Sequence, residues 1–281
     1  MRYITLLSMA IVFAGGCQKT YVAIEAHKAK LTDAESREVS EAERLGEKLY
    51  LQDAVAAKAS RMLLQVAGPI QPGELSGWII VKEGPKTLTR FIKQTGEDVN
   101  VAYDVRIDAK GDAEVTKDNL RPLSKTETAM FHARQNAMRA APKDCARGYN
   151  TAVMEDIDSG GWLVYILAAT LDDAIVVGGH SRVKVSADGN NVISVTPLYK
   201  SCLTLEKPPA DNTKNLETIA VSYPLGDVPS EIHVYLNRLY GYPVYVTTAR
   251  GNWLVKDGKI SLFKPAQKTE LQEINKSKQK K

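Results

Sequence analysis

The sequence predicts an α+β protein, with a long N-terminal helix followed by antiparallel β-sheet and one further packed helix. Three observations carry that expectation. An apolar stripe of helical period runs through residues 32–67, apolar segments alternating with period two fill much of 78–263, and a second helix-start signature stands at Ser124.

The first helix begins at Thr32-Asp33-Ala34-Glu35, the spacing at which a threonine hydroxyl and a glutamate carboxylate each satisfy a backbone amide of the first turn. From there Ala42, Leu45, Leu49, Ala56, Ala59, Leu63 and Val66 recur at three- and four-residue steps, with polar Gln52 in the one gap. Gly68-Pro69 stops the helix, which at 1.5 Å per residue would run roughly 50 Å. The stripe is expected to pack on the protein's own sheet. The functional alternative is a stalk, or a helix over 33–67 that docks a partner protein of the cell envelope.

A Gly- and Pro-rich break over 68–77 leads into strands expected at 78–81, 88–92 and 99–107, the last alternating Val99, Val101, Tyr103, Val105 and Ile107. Ala109-Lys110-Gly111-Asp112 supplies a turn before a short strand near Val115. Ser124-Lys125-Thr126-Glu127 repeats the capping box and opens a helix with Met130, Ala133, Ala137 and Ala140 on its apolar side, ended by Pro142. Residues 162–169 form a continuous apolar run, the composition of a strand buried on both faces. Strands at 183–185 and 192–195 flank a hairpin turn over 186–191. Further strands are expected at 216–223, 232–236, 244–248, 253–255 and 260–263, with Asp257-Gly258 turning the last pair.

The 281 residues are 44% apolar, enough for a sizeable core, and the 37 basic and 33 acidic side chains are mixed along most of the chain. A formal charge of +4 spread in this way implies no field for nucleic acid. Lys276, Lys278, Lys280 and Lys281 close a polar tail. The organisation read from these patterns is a signal peptide over 1–16, a tether over 17–31 and the long helix over 32–67. A smaller α+β region follows over 68–142, then a mainly antiparallel β domain over 143–265 and the basic tail over 266–281.

Arg2 precedes an apolar run from residue 4 to 13, interrupted only by Thr5 and Ser8, which has the layout of a secretory signal and is too short to span a bilayer. The residues that close it, Ala14-Gly15-Gly16-Cys17, resemble the lipobox of bacterial lipoproteins, with Ala14 where that motif usually carries a larger aliphatic residue. The resemblance implies cleavage before Cys17, lipidation of its thiol, and a membrane partner reached through the lipid anchor. Each buried methylene contributes about 0.8 kcal/mol, so several acyl chains hold a folded body at the membrane. Gln18 after the cysteine resembles the pattern of outer-membrane rather than inner-membrane lipoproteins. The expected location is therefore the cell envelope, lipid-anchored and facing the periplasm.

Export leaves Cys145 and Cys202 as an even pair in an oxidising compartment, and a disulfide between them is expected. A loop of that length is worth on the order of 4 kcal/mol in the chain-entropy account. The expected role is that of a non-enzymatic binding or structural component of the envelope; the alternative is an exported hydrolase using Ser181 or Cys202 with His180 or His233 as base.

No metal or cofactor motif is legible, so no metal, cofactor or catalytic set is expected: His27, His132, His180 and His233 stand apart in sequence. Glu155-Asp156-Ile157-Asp158-Ser159-Gly160 opens like a calcium loop but runs into the apolar residues 162–167 where the closing glutamate should stand. Gly179-His180-Ser181-Arg182-Val183 fails the nucleophile elbow at its last position. Trp78, Trp162, Trp253 and the tyrosines at 235, 240, 242 and 245 are read as core and sheet-face packing, with a peptide or glycan groove as the alternative. A helix followed by antiparallel strands resembles the PepSY and cystatin-like modules of exported proteins. Gly178-Gly179-His180, residues 185–189 and Ser201-Cys202-Leu203 resemble segments of uncharacterised exported proteobacterial proteins, a likeness that implies no activity.

Overall fold

The computed structural model describes residues 8–9, 22–23, 29–84, 86–169, 174–207 and 218–263. Cys17, nearly all of the expected signal peptide and tether, and the basic tail lie outside the described residues. The architecture is α+β, and the chain divides into two compact units, Met1–Arg44 with Leu216–Lys281, and Leu45–Asn215. Among the described residues no helix is long and apolar enough to cross a membrane.

The first unit carries the short antiparallel pair β1 (Ser8–Met9) and β2 (Val22–Ala23) and the opening turns of α1 (Asp33–Ala67). The capping box forms as expected, with Glu35 N–H donating to Thr32 Oγ1 at 3.2 Å and Thr32 N–H donating to Glu35 Oε2 at 2.7 Å.

Larger elements of the second unit come next in the chain. They are β3 (Gly77–Glu83), β4 (Lys86–Thr95), β5 (Asp98–Ile107), β6 (Ala113–Pro122) and α2 (Lys125–Ala140). After these come β7 (Tyr149–Asp156), β8 (Gly161–Ala168), β9 (Ala174–Val176), β10 (Ser181–Val185), β11 (Val192–Pro197) and β12 (Thr204–Glu206). Strands β3 to β6 make an antiparallel meander, β11-β10-β8-β7 a second antiparallel sheet, and β9 pairs with β12. Strand β6 is longer than the sequence shows because, beyond Ala113 and Val115, which pack on the core, it continues through mostly polar residues at a sheet edge.

The C-terminal two thirds of α1 pack their stripe inward: Ala59 and Leu63 meet Phe91, Val105 and Ile107 of β4 and β5. Leu49, Ala56, Ala59 and Leu63 are buried as the periodicity requires, whereas Val66 is 64% exposed and Ile70 and Leu75 of the following loop complete that cluster. Gln52, the polar residue in the stripe, has a definite task. Its Nε2 donates to the Val153 carbonyl at 2.8 Å, and its Oε1 accepts from the Val153 amide at 3.0 Å. One side chain thus imitates a neighbouring strand along the outer edge of β7.

The first unit is completed by β13 (Ile219–Ser222), α3 (Glu231–Tyr240), β14 (Val244–Thr247), β15 (Asn252–Lys256) and β16 (Lys259–Phe263), sheet order β13-β14-β15-β16. Two expectations need correction here. Residues 232–236 are helical, not a strand, and β13 runs parallel to β14 within an otherwise antiparallel sheet. Ile232, Val234 and Leu236 alternate with Glu231, His233 and Tyr235 as strand residues would, and this short period-two pattern hides the helix. The crossover that the helix provides lets two parallel strands pair. Ser230 at its start and left-handed Gly241 at its end were the legible signals of a helix.

Replacing Gln52 with Ala leaves the Val153 amide and carbonyl without their partner, and the expected cost is about 1–2 kcal/mol. Urea unfolding at neutral pH checks this; an unchanged midpoint would show that water replaces the glutamine without loss.

Candidate functional site

The residues that sequence offers for covalent chemistry turn out to hold the fold. Cys145 and Cys202 form the expected disulfide, with Cα atoms 5.0 Å apart and 57 residues between them in sequence. Cys202 is therefore no free thiol, which removes the cysteine version of the hydrolase. Gly178 and Gly179 lie against this bridge. A Cβ on Gly178 would strike the backbone of Ser201, and one on Gly179, whose φ is +84°, would strike Cys145. The amides of Val177 and Gly178 both donate to the Leu203 carbonyl at 2.9 Å.

His180 follows, 2% exposed. The Ala168 amide donates to its Nδ1 at 3.2 Å, which places the proton on Nε2, 3.3 Å from the Val176 carbonyl. Both ring nitrogens are thus engaged with backbone, and burial pushes the imidazole down to about 4. Ser181 is buried as the first residue of β10, between Ile166 and Pro197. His233 belongs to the other unit, fully buried on α3, where its Nδ1 accepts from the Ser230 amide at 3.1 Å and its ring meets Tyr223 edge-on at 4.7 Å. Burial pushes it down to about 4 as well. Its Nε2 has no hydrogen-bond partner among the described residues.

The acidic turn after β7 is also internally satisfied. Asp156 accepts from Ser159 Oγ at 2.6 Å and from the Asp158 amide at 3.3 Å, with Lys184 Nζ at 3.4 Å.

A different place in the second unit has room for a ligand. A cleft of about 730 Å³ opens along α2, between the ends of β3 and β4 on one side and the β10–β11 turn on the other. Ser76, Gln94, Gln135, Asn190, Arg134 and Arg139 are among the residues that line it, with His132 on the same helix. Helical spacing brings 132, 135, 136 and 139 onto one face. Asn136 Nδ2 donates to the Gly189 carbonyl at 2.7 Å and so holds the turn to the helix. Gln135 Nε2 donates to Gln94 Oε1 at 2.7 Å across the cleft.

Arg134 is the unusual member. It is 8% exposed, its Nε donates to Thr151 Oγ1 at 2.7 Å, and its guanidinium lies 4.4 Å over the Trp78 ring. Glycine at 77 makes room for it, since a Cβ there would collide with the guanidinium. Burial lowers its pKa from 12.5 to about 10. Arg90, which is only partly buried, shows the contrast: it is held by Glu127 and lies 3.4 Å from Asp104. No carboxylate pairs with Arg134 among the described residues.

Of these side chains, sequence reasoning offered Trp78 for an alternative peptide or glycan groove and weighed His132 singly; it placed neither arginine nor any of the amides in a site. The available signal was Arg134 itself, next to Ala133 on the inward side of an alanine-rich helix, where a charge is out of place. No protein-family model, curated protein or solved structure matches the chain.

The two buried histidines make stability pH-dependent. The unfolded chain takes up these protons near pH 6.5, while the folded one resists until about 4. The unfolded state therefore binds more protons across that window, and stability is full above it and falls as pH drops. The expected slope is on the order of 1.4 kcal/mol per pH unit for each histidine. Urea midpoints at about pH 7 and about pH 4.5 test this; equal midpoints would contradict it.

Proposed function

We propose that this chain is an exported bacterial lipoprotein, tethered to the envelope through Cys17, whose folded body acts by binding a ligand non-covalently in the α2 cleft. The observation that carries the reading is the cleft. About 730 Å³ lies within the 300–1,000 Å³ typical of ligand sites, and it is walled by amides, arginines and a hydroxyl. Support for the address comes from the sequence: the apolar start, Ala14-Gly15-Gly16-Cys17, and the disulfide that an oxidising compartment favours. Gln18 favours the outer membrane. The apolar stripe of α1 is taken up by core packing, so a protein partner of that helix would meet its outer side, where Leu51, Leu64 and Val66 stand exposed among polar residues.

Two variants test the reading in the native host. Gln135→Trp fills the cleft and is expected to abolish complementation of a deletion strain while the protein still fractionates with membranes. Ser181→Ala, which a serine hydrolase would not survive, is expected to complement fully. The opposite pattern would overturn the proposal. Mass spectrometry of the mature protein should find Met1–Gly16 removed and acyl chains on Cys17; an intact initiator methionine in the soluble fraction would remove the envelope address.

A further inference from the structure

We infer that the α2 cleft takes a hydroxyl-bearing organic anion, an acidic or phosphorylated sugar, with its oxyanion on the guanidinium of Arg134. The inference rests on the reading of the cleft as the ligand site and names what that site would select.

The argument starts from an imbalance of charge. A cation taken out of water carries a desolvation penalty that is normally met by an opposite charge. Arg90 follows the rule, through Glu127 and Asp104. Arg134 has one neutral hydroxyl and one π-face, from Thr151 and Trp78. These engage Nε and one flat side of the group. The Nη donors, the pair that takes an oxyanion as a fork, meet no acceptor among the described residues. The lining residues of the cleft include no Asp or Glu, and Arg139 adds a second positive charge. Asp188 of the adjoining turn is held by Ser186 Oγ and by the amide and side chain of Asn190.

The remaining walls define the rest of the ligand. Gln135 uses its Nε2 on Gln94, and Asn190 uses its Nδ2 on Asp188. Each keeps a carbonyl oxygen that can accept from a hydroxyl. Ser76 Oγ accepts from the Gln94 amide at 3.1 Å and keeps its own hydrogen to donate. A cleft with one fixed guanidinium, spare amide oxygens and a hydroxyl, with Met138 as its apolar residue, matches an anion borne on a polyol.

If Arg134 is there for a ligand, the fold does not need it. Even a paired buried charge can often be replaced by well-packed apolar residues at no loss of stability, and a cation with no carboxylate partner has less Coulombic attraction to lose. Arg134→Met is therefore expected to melt at or above the wild-type temperature and yet to lose binding.

The test is calorimetric titration of the purified mature protein with glucose 6-phosphate, glucuronate, glucose and inorganic phosphate, with amide NMR shifts locating each site. At least one charged sugar should bind with shifts at 132–139 and 190, more tightly than glucose or inorganic phosphate. Whichever of the two binds tells phosphate from carboxylate. Arg134→Met should weaken that binding by about 10- to 100-fold, and Arg134→Lys, which keeps the charge without the fork, should fall between. The inference is overturned if neither charged sugar binds at millimolar concentration, if Arg134→Met binds as well as the wild type, or if that variant fails to fold. Glucose binding in the cleft as tightly as its charged relatives would sink the anion while leaving the cleft as a ligand site. Charged sugars whose shifts map elsewhere would sink both.

Discussion

The placement of α2 depends on how closely an alanine face can approach a sheet. Ala129, Ala133, Ala137 and Ala141 lie against Trp162, Val164, Ile166, Val183 and Val185, and any larger residue in that row would hold the helix away. On the neighbouring side Phe131 enters the cluster of Ile79 and Ile92 from the meander. With one face seated on each sheet, the position between them is buried whatever occupies it. That position is 134, and its burial is the consequence of helix geometry meeting two surfaces. The same seating fixes the cleft: one wall is the outer face of α2, and the turn that Asn136 holds is the other.

Charge is handled in two ways within this unit. Near the start of α2, Glu127 closes the capping box with the Ser124 amide at 2.9 Å and also meets Arg90, so one carboxylate ends a helix and neutralises a partly buried cation. Such a network ties helix to sheet, and breaking one member would strand the other. Two turns along, Arg134 stands outside that economy. The segment that looked chemical, Gly178-Gly179-His180-Ser181, is by contrast structural throughout. Its glycines admit the disulfide loop, its histidine completes backbone hydrogen bonds at the end of β8, and its serine starts a strand.

Much of the fold was legible because its signals were local. The capping boxes at Thr32 and Ser124, the 186–191 turn and the Asp257-Gly258 turn each act over a few residues, and the stripe from Ala42 to Leu63 reports burial directly. The disulfide was legible from the even pair that Cys145 and Cys202 make once Cys17 is set apart. Helix α3 was not, because it is only ten residues long and its Ile232, Val234 and Leu236 alternate as a strand would. The cleft was illegible for a different reason. Its walls come from four separate segments, and a lone arginine after an alanine means nothing until Trp78, Thr151 and Gly77 are brought around it.

The central claim is that the buried guanidinium of Arg134 has no carboxylate from its own chain and leaves its paired donors to an incoming oxyanion. A crystal structure of the mature protein grown with phosphate examines this directly. Tetrahedral density within hydrogen-bonding distance of Nη1 and Nη2, inside the α2 cleft, is the predicted result. An Asp or Glu of the same chain occupying that place would contradict it.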